Sequence, residues 1–239
     1  MLHGGAWRSG GRKDWFEGCQ RAATSGVVGV AIDYRLADGT AGHSWPAQLV
    51  DAQLAVRWVR THAREYGIDP ERVCAIGDSA GGHLAVFLAA LDKPVLGEYA
   101  GLLPGVSPKA DCTVDWFAPV DFSGFLQRSG MMRMMFVGVA PADYANAERS
   151  ASPLFAVGPR TAPILIAHGG EDRMVSIKQS ETLRDALTRD GVPNQLWVFR
   201  GGHEFAGVPD ERRAYIDTAL AFTKDPLGFL KTKSPPKSE

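Results

Sequence analysis

"CAIGDSAGGHLA", residues 74–85, is a short apolar run that breaks at Gly77-Asp78-Ser79-Ala80-Gly81 and resumes as an alanine-rich helical stretch. Glycine, one residue, serine, one residue, glycine, set between a strand and a helix, is the pattern of a turn so sharp that the residues beside the serine must be small. Ser79 then stands at the carboxyl edge of a sheet, next to a helix N-terminus whose partial positive charge favours a developing anion. Alone, these five residues read as a glycine-rich turn. The strand before them and the helix after them favour a nucleophile.

Outward from this turn, short apolar runs alternate with longer segments of helical period. Strands are expected at residues 27–33, 72–77, 112–117, 162–168 and 195–200, each nearly all apolar, as for strands buried on both faces. Between the first two, "WPAQLVDAQLAVRWVRTHAREYG" spaces Val50, Leu54 and Trp58 four apart, with Ala55 and Val59 alongside and Gly67 as a helix stop. Later, "SIKQSETLRDALTRDG" offers Ser176 as a cap, Ile177, Leu183, Ala186 and Leu187 on one face, and Gly191 at its end. A last helix is expected from about Asp210 to Phe222. The expected fold class is α/β, a mostly parallel sheet with helices on both faces.

The chain has 239 residues, within the range of one such domain. A single domain is expected over residues 1–230, and the polar, basic "KTKSPPKSE" at 231–239 reads as a disordered, solvated tail. Hydrophobic residues are 45%, charged residues 22%, and the formal net charge is −1. Nothing in that balance favours capture of nucleic acid or an anionic membrane. No apolar run approaches the roughly 18 residues that span a bilayer. Three cysteines, Cys19, Cys74 and Cys112, make an odd count, so a disulfide framework is not expected and a cytoplasmic location is. The longest interval between strands, 118–161, contains "MMRMMFVG", whose methionines read as helix packing first and as an acyl-pocket lining second.

A serine hydroxyl is a poor nucleophile at neutral pH and needs a base, which in turn needs an orienting acid. "WVFRGGHEF" ends a strand in a Gly-Gly-His turn that frees His203 to reach across the sheet edge. His43, His62 and His83 ride on or beside helices, His168 ends a strand where a structural hydrogen bond suits it, and His3 braces its own loop. For the acid, "ILIAHGGEDRMVS" offers Glu171 and Asp172 just past a strand; Asp172 is preferred, and Asp121 in "APVDF" is the runner-up, with a capping role favoured for it. The order Ser79, Asp172, His203 differs from the order in the two large serine-protease folds.

The chain begins "MLHGGAWRSGG", a loop of bare backbone N–H groups. Attack on an ester carbonyl builds charge on its oxygen, and preset main-chain donors around it contribute on the order of 3 kcal/mol each to lowering the barrier. Ala80 N–H supplies one donor, Gly5 and Ala6 the others, and Gly4 leaves room for the backbone to approach.

With those residues in place, the chain resembles the α/β-hydrolase superfamily, specifically esterases similar to hormone-sensitive lipase and the bacterial feruloyl-esterase-like group. "HGGAW", "DYRL", "WPAQLVDAQLAVRWVR", "GIDPERV", "GDSAGGHLA", "DWFAPVDF", "HGGEDRMV" and "GGHEF" carry the resemblance, over roughly residues 3–205. It implies Ser79 as nucleophile, His203 as base, Asp172 as its partner and "HGGAW" as part of the oxyanion hole. It also implies larger N-terminal parts than precede His3 here. The expectation is therefore a truncated α/β-hydrolase domain without its usual N-terminal strands, with Met1 and Leu2 as the end of a strand lying between 27–33 and 72–77.

The function expected is hydrolysis of carboxylic esters of small or medium acyl chains through an acyl-enzyme, on a small-molecule substrate, with no cofactor and no metal. Oligomeric state is unassigned. Two alternatives stand beside it. One is an aryl formamidase or peptidase, since HGG-x-W also resembles the loop of kynurenine formamidases. The other is an inactive or non-catalytic hydrolase-like fragment.

Overall fold

A computed structural model describes residues 1–95 and 101–234, and of Arg128, Met131 and Met132 the backbone only. Four strands, β1 (Cys74–Asp78), β2 (Cys112–Trp116), β3 (Ile164–Gly169) and β4 (Asn194–Phe199), form a parallel sheet in the order β1-β2-β3-β4. Ten helices accompany them among the described residues: α1 (Phe16–Thr24), α2 (Ala47–Thr61), α3 (Ala63–Tyr66), α4 (Ala80–Ala90), α5 (Phe125–Arg128), α6 (Gly130–Arg133), α7 (Tyr144–Ser150), α8 (Lys178–Arg189), α9 (Glu211–Lys224) and α10 (Pro226–Thr232).

Alternation along each strand sends side chains to the two faces of the sheet. Ile76, Val114, Trp116, Leu165, Ala167, Trp197 and Phe199 lie on one, in a core that also takes in Ala22 of α1, Tyr215, Ile216 and Leu220 of α9, and Phe229 of α10. On the opposite face, Ala75 packs with Leu49, Ala52 and Val56 of α2 and Leu84 of α4, while Ile164 and Ile166 pack with Val86 of α4 and Leu183 and Leu187 of α8. Both sheet faces are covered, which is why the strands read as continuous apolar runs.

Several expectations change. Residues 27–33 do not form a strand. Leu2 makes isolated parallel bridges to Ile32 on one side and Gly77 on the other, so the opening residues do lie between 27–33 and β1. With one bridge on each side there is no ladder to propagate, and a cavity of about 320 Å³ lies beside it, lined by Val27, Ile32, Val56, Cys74, Ile76 and Leu220 among others.

The core face of α2 is also shifted from the expected one. Leu49, Ala52, Gln53, Val56 and Val59 are buried, whereas Leu54 is half-buried and Trp58 is exposed, stacking on His62 at 4.2 Å and flanked by Tyr66. An aromatic ladder on the outer face thus takes the residue that the four-residue spacing placed inside. In α8 the expected face holds for Leu183, Ala186 and Leu187, and Ser176 lies just before the helix with its Oγ 3.4 Å from the Lys178 N–H.

Cys74 and Cys112 are register partners on β1 and β2 and form a disulfide, against the expectation of none; Cys19 is free. Strand register brings together two residues 38 apart in sequence, and an odd count cannot reveal that. α10 runs through Thr232, into the first two residues of the stretch expected as a tail, its start capped by the Asp225 carboxylate accepting from the Gly228 N–H. Residues 235–239 lie outside the described residues. No helix among the described residues is long and apolar enough to cross a membrane.

Candidate active site

The turn between β1 and α4 holds Ser79 at φ 50° and ψ −115°, in the left-handed half of backbone space that side chains avoid. Two close approaches demand its glycines. A Cβ on Gly77 would lie 2.3 Å from the Gly81 carbonyl, and one on Gly81 would lie 2.1 Å from the Leu2 oxygen. The turn is therefore wedged against the opening loop. The Ser79 N–H donates to the Trp116 carbonyl at 2.8 Å, tying it to β2.

His203 follows β4 in a short helical turn in which Glu204 and Phe205 both have positive φ, and its ring packs 4.8 Å from that of Phe117. Its Nε2 lies 2.9 Å from Ser79 Oγ and its Nδ1 lies 2.6 Å from Asp172 Oδ2. Asp172, just after β3, has no exposed side-chain surface; its Oδ1 accepts the N–H groups of Met174 and Val175 at 2.8 and 2.9 Å. A carboxylate cannot donate, so Nδ1 carries the proton toward Asp172 and Nε2 accepts from the serine hydroxyl. The three residues singled out from sequence thus meet in one hydrogen-bonded chain.

The other candidates take other places. Asp121 Oδ1 accepts from the backbone and hydroxyl of Ser123, a local turn, and Glu171 is exposed. His168 is buried between Ser180 Oγ at 2.7 Å and the Val175 carbonyl at 2.9 Å, with Asp172 Oδ2 at 3.3 Å; burial pushes its pKa down. His3 braces its loop by donating from Nδ1 to the Gly4 carbonyl and stacks on Tyr34 at 4.2 Å, while the Tyr34 hydroxyl donates to the His3 carbonyl.

Two features of the loop were not legible in the sequence. Asp78 accepts the Gly4 N–H on Oδ2 at 3.1 Å and the Trp15 indole on Oδ1 at 2.9 Å, and burial lifts its pKa to about 6. Gly4 needs that closeness, since a Cβ there would lie 2.5 Å from Asp78 Oδ2. Ala6 and Trp7 are both left-handed, at φ 52° and 60°. The N–H groups of Gly5 and Ala6 donate no hydrogen bond among the described residues, and Ala80 begins α4, where helix geometry leaves its N–H without an intrahelical partner. A polar cavity of about 370 Å³ borders this loop, with Gly5, Asp78, Phe117, Glu204 and Arg212 among its walls.

The BD-FAE family model matches residues 1–187 of this chain. The chain belongs to the BD-FAE family. This places it among the α/β-hydrolases, and the matched span carries the opening loop, the serine turn and Asp172.

Among curated proteins, this BD-FAE member is similar to Esterase LipC of Mycobacterium tuberculosis, 29% identical over 92% of this chain and 56% of that protein. Esterase LipQ of the same organism is 32% identical over 80% of this chain and 46% of its own length. The chain thus spans about half the length of the curated relatives it matches. Among solved structures, Thermogutta terrifontis esterase 2 phosphoramylated by tabun superposes with a TM-score of 0.77 at 27% identity, covering 97% of this chain and 83% of that one.

Proposed function

We propose that this protein is a serine carboxylic-ester hydrolase in which Ser79, Asp172 and His203 act as the triad and the N–H groups of Gly5, Ala6 and Ala80 as the oxyanion hole. The observation that carries the reading is the unbroken chain Ser79 Oγ to His203 Nε2 at 2.9 Å and His203 Nδ1 to Asp172 Oδ2 at 2.6 Å, on a strained turn. Ser79 Oγ attacks the ester carbonyl while His203 Nε2 takes its proton. Asp172 keeps the imidazole in the productive tautomer and stabilises the imidazolium. The carbonyl oxygen gains negative charge and is met by the free main-chain donors.

Collapse of that intermediate expels the alcohol, which takes its proton from His203, and leaves an acyl ester on Ser79. Water, deprotonated by His203, then attacks the acyl carbon; the acid departs and Ser79 regains its hydrogen. No step needs a metal or an organic cofactor. Ester substrates are favoured over formamides and peptides because the relatives' names, Esterase LipC and Esterase LipQ, point that way. Comparing turnover of a short-chain 4-nitrophenyl ester with that of N-formylkynurenine tests it. Preference for the ester supports the reading, and preference for the formamide replaces it.

A further inference from the structure

We propose that His83, together with Trp7, is a positioning residue that sets the orientation of the oxyanion loop. The proposal rests on the esterase reading above. His83 lies on α4, one turn beyond Ser79, and is fully buried. Its Nδ1 is 3.2 Å from the Trp7 indole nitrogen and its Nε2 is 2.7 Å from the Ala151 carbonyl.

Both neighbours are chemically one-sided, because an indole N–H only donates and a carbonyl only accepts. One protonation state satisfies both: neutral imidazole with its hydrogen on Nε2. Burial supports it, lowering the His83 pKa to about 4. The ring sits in an aromatic box, with Trp7, Trp45, Phe87 and Phe122 centroids all between 5.1 and 5.4 Å away.

The strut matters because of what Trp7 adjoins. Two consecutive non-glycine residues, Ala6 and Trp7, hold positive φ, a conformation that persists only where its surroundings over-determine it. Trp7 is held in three ways: the residue is buried, its carbonyl accepts the Ala37 N–H at 2.7 Å, and its indole donates to His83. The peptide joining Gly5 to Ala6 bears one of the proposed donors, and the indole anchor lies one residue further on. His83 thus registers the loop against the helix that carries Ser79 and Ala80. Through Ala151, the residue that follows α7, it joins the 118–161 segment to the same frame.

The test is steady-state kinetics of the full chain on a short-chain 4-nitrophenyl ester, with inhibition by an alkyl trifluoromethyl ketone, whose carbonyl adds Ser79 Oγ and puts an oxyanion in the hole. Trp7→Phe keeps the ring and removes only the N–H. It is expected to lower kcat about tenfold with KM within twofold, and to weaken the ketone by the same factor as kcat/KM, since the lost interaction belongs to the transition state. His83→Leu is expected to do the same, and Trp7→Phe made in that background to cost less than twofold more. A Trp7→Phe enzyme that keeps kcat within threefold of wild type, or loses only in KM, overturns the proposal; should Trp7→Phe not fold, His83→Leu is held to the same limits. Wild-type protein that neither turns over ester nor forms the ketone adduct overturns the esterase reading, and this proposal with it.

Discussion

His203 Nδ1 lies 2.6 Å from Asp172 Oδ2, while the other oxygen of that carboxylate is held by the N–H groups of Met174 and Val175. The Asp172 carboxylate is therefore fixed by backbone on one oxygen and meets the histidine with the other. Asp172→Asn keeps the size but offers an amide N–H or a single carbonyl where Nδ1–H needs an anion. Turnover is expected to fall by about 10³–10⁴-fold with the fold intact. Asp121→Asn, which alters only a local turn to Ser123, is expected to leave kcat within threefold. Kinetics of the two variants side by side checks the choice of acid; the opposite ranking would move the acid to Asp121.

Gly81 is the tightest point of the site. A methyl group there meets the Leu2 carbonyl at 2.1 Å, and that neighbour is backbone rather than a side chain free to swing away. Gly81→Ala is expected to destabilise the fold by about 3 kcal/mol, the upper part of the overpacking range. For a chain of this length that corresponds to a Tm lower by roughly 10 °C. Calorimetry giving an unchanged Tm would mean that the opening loop does not press on the serine turn.

Asp115 on β2 carries a pH dependence of its own. It is fully buried; Oδ1 accepts the Ala118 N–H at 3.0 Å and Oδ2 has no hydrogen-bond partner among the described residues. Burial raises its pKa to about 7, against about 3.9 in an unfolded chain. The native state then holds a proton that the unfolded state releases, so the stability that Asp115 contributes is fully present below about pH 4 and is lost as pH rises toward 7. That difference between the folded and unfolded chain corresponds to roughly 4 kcal/mol. Asp115→Asn cannot ionise, so its stability relative to wild type is expected to climb by a few kcal/mol between pH 4 and pH 8. Urea unfolding of both proteins at the two pH values reads this directly; a constant difference would mean that Asp115 is ionised in the fold.

Four of the five expected strands, the turn and the three residues of the hydrogen-bonded chain were legible in the sequence because each depends on local pattern: apolar runs, a Gly-x-Ser-x-Gly between strand and helix, a Gly-Gly-His after a strand. What depends on residues far apart was not. Trp15 and Asp78 meet across 63 positions and Trp7 and His83 across 76, and neither pairing leaves a periodic trace. Trp58 misled for the opposite reason, since helical spacing allows it inside, whereas it lies on the outer face, stacked on His62. Residues 27–33 have the composition of a strand but pair with the opening residues through a single isolated bridge, which composition cannot express.

We propose Ser79 as an activated nucleophile. Treatment with a fluorophosphonate, followed by intact-mass measurement and peptide mapping, tests it most directly, since only a serine whose proton is drawn off by a base reacts at a useful rate. One adduct per chain is expected, on the peptide containing Ser79, absent in Ser79→Ala while that variant keeps the wild-type Tm. A chain that stays unlabelled when folded, or an adduct that survives Ser79→Ala, would contradict it.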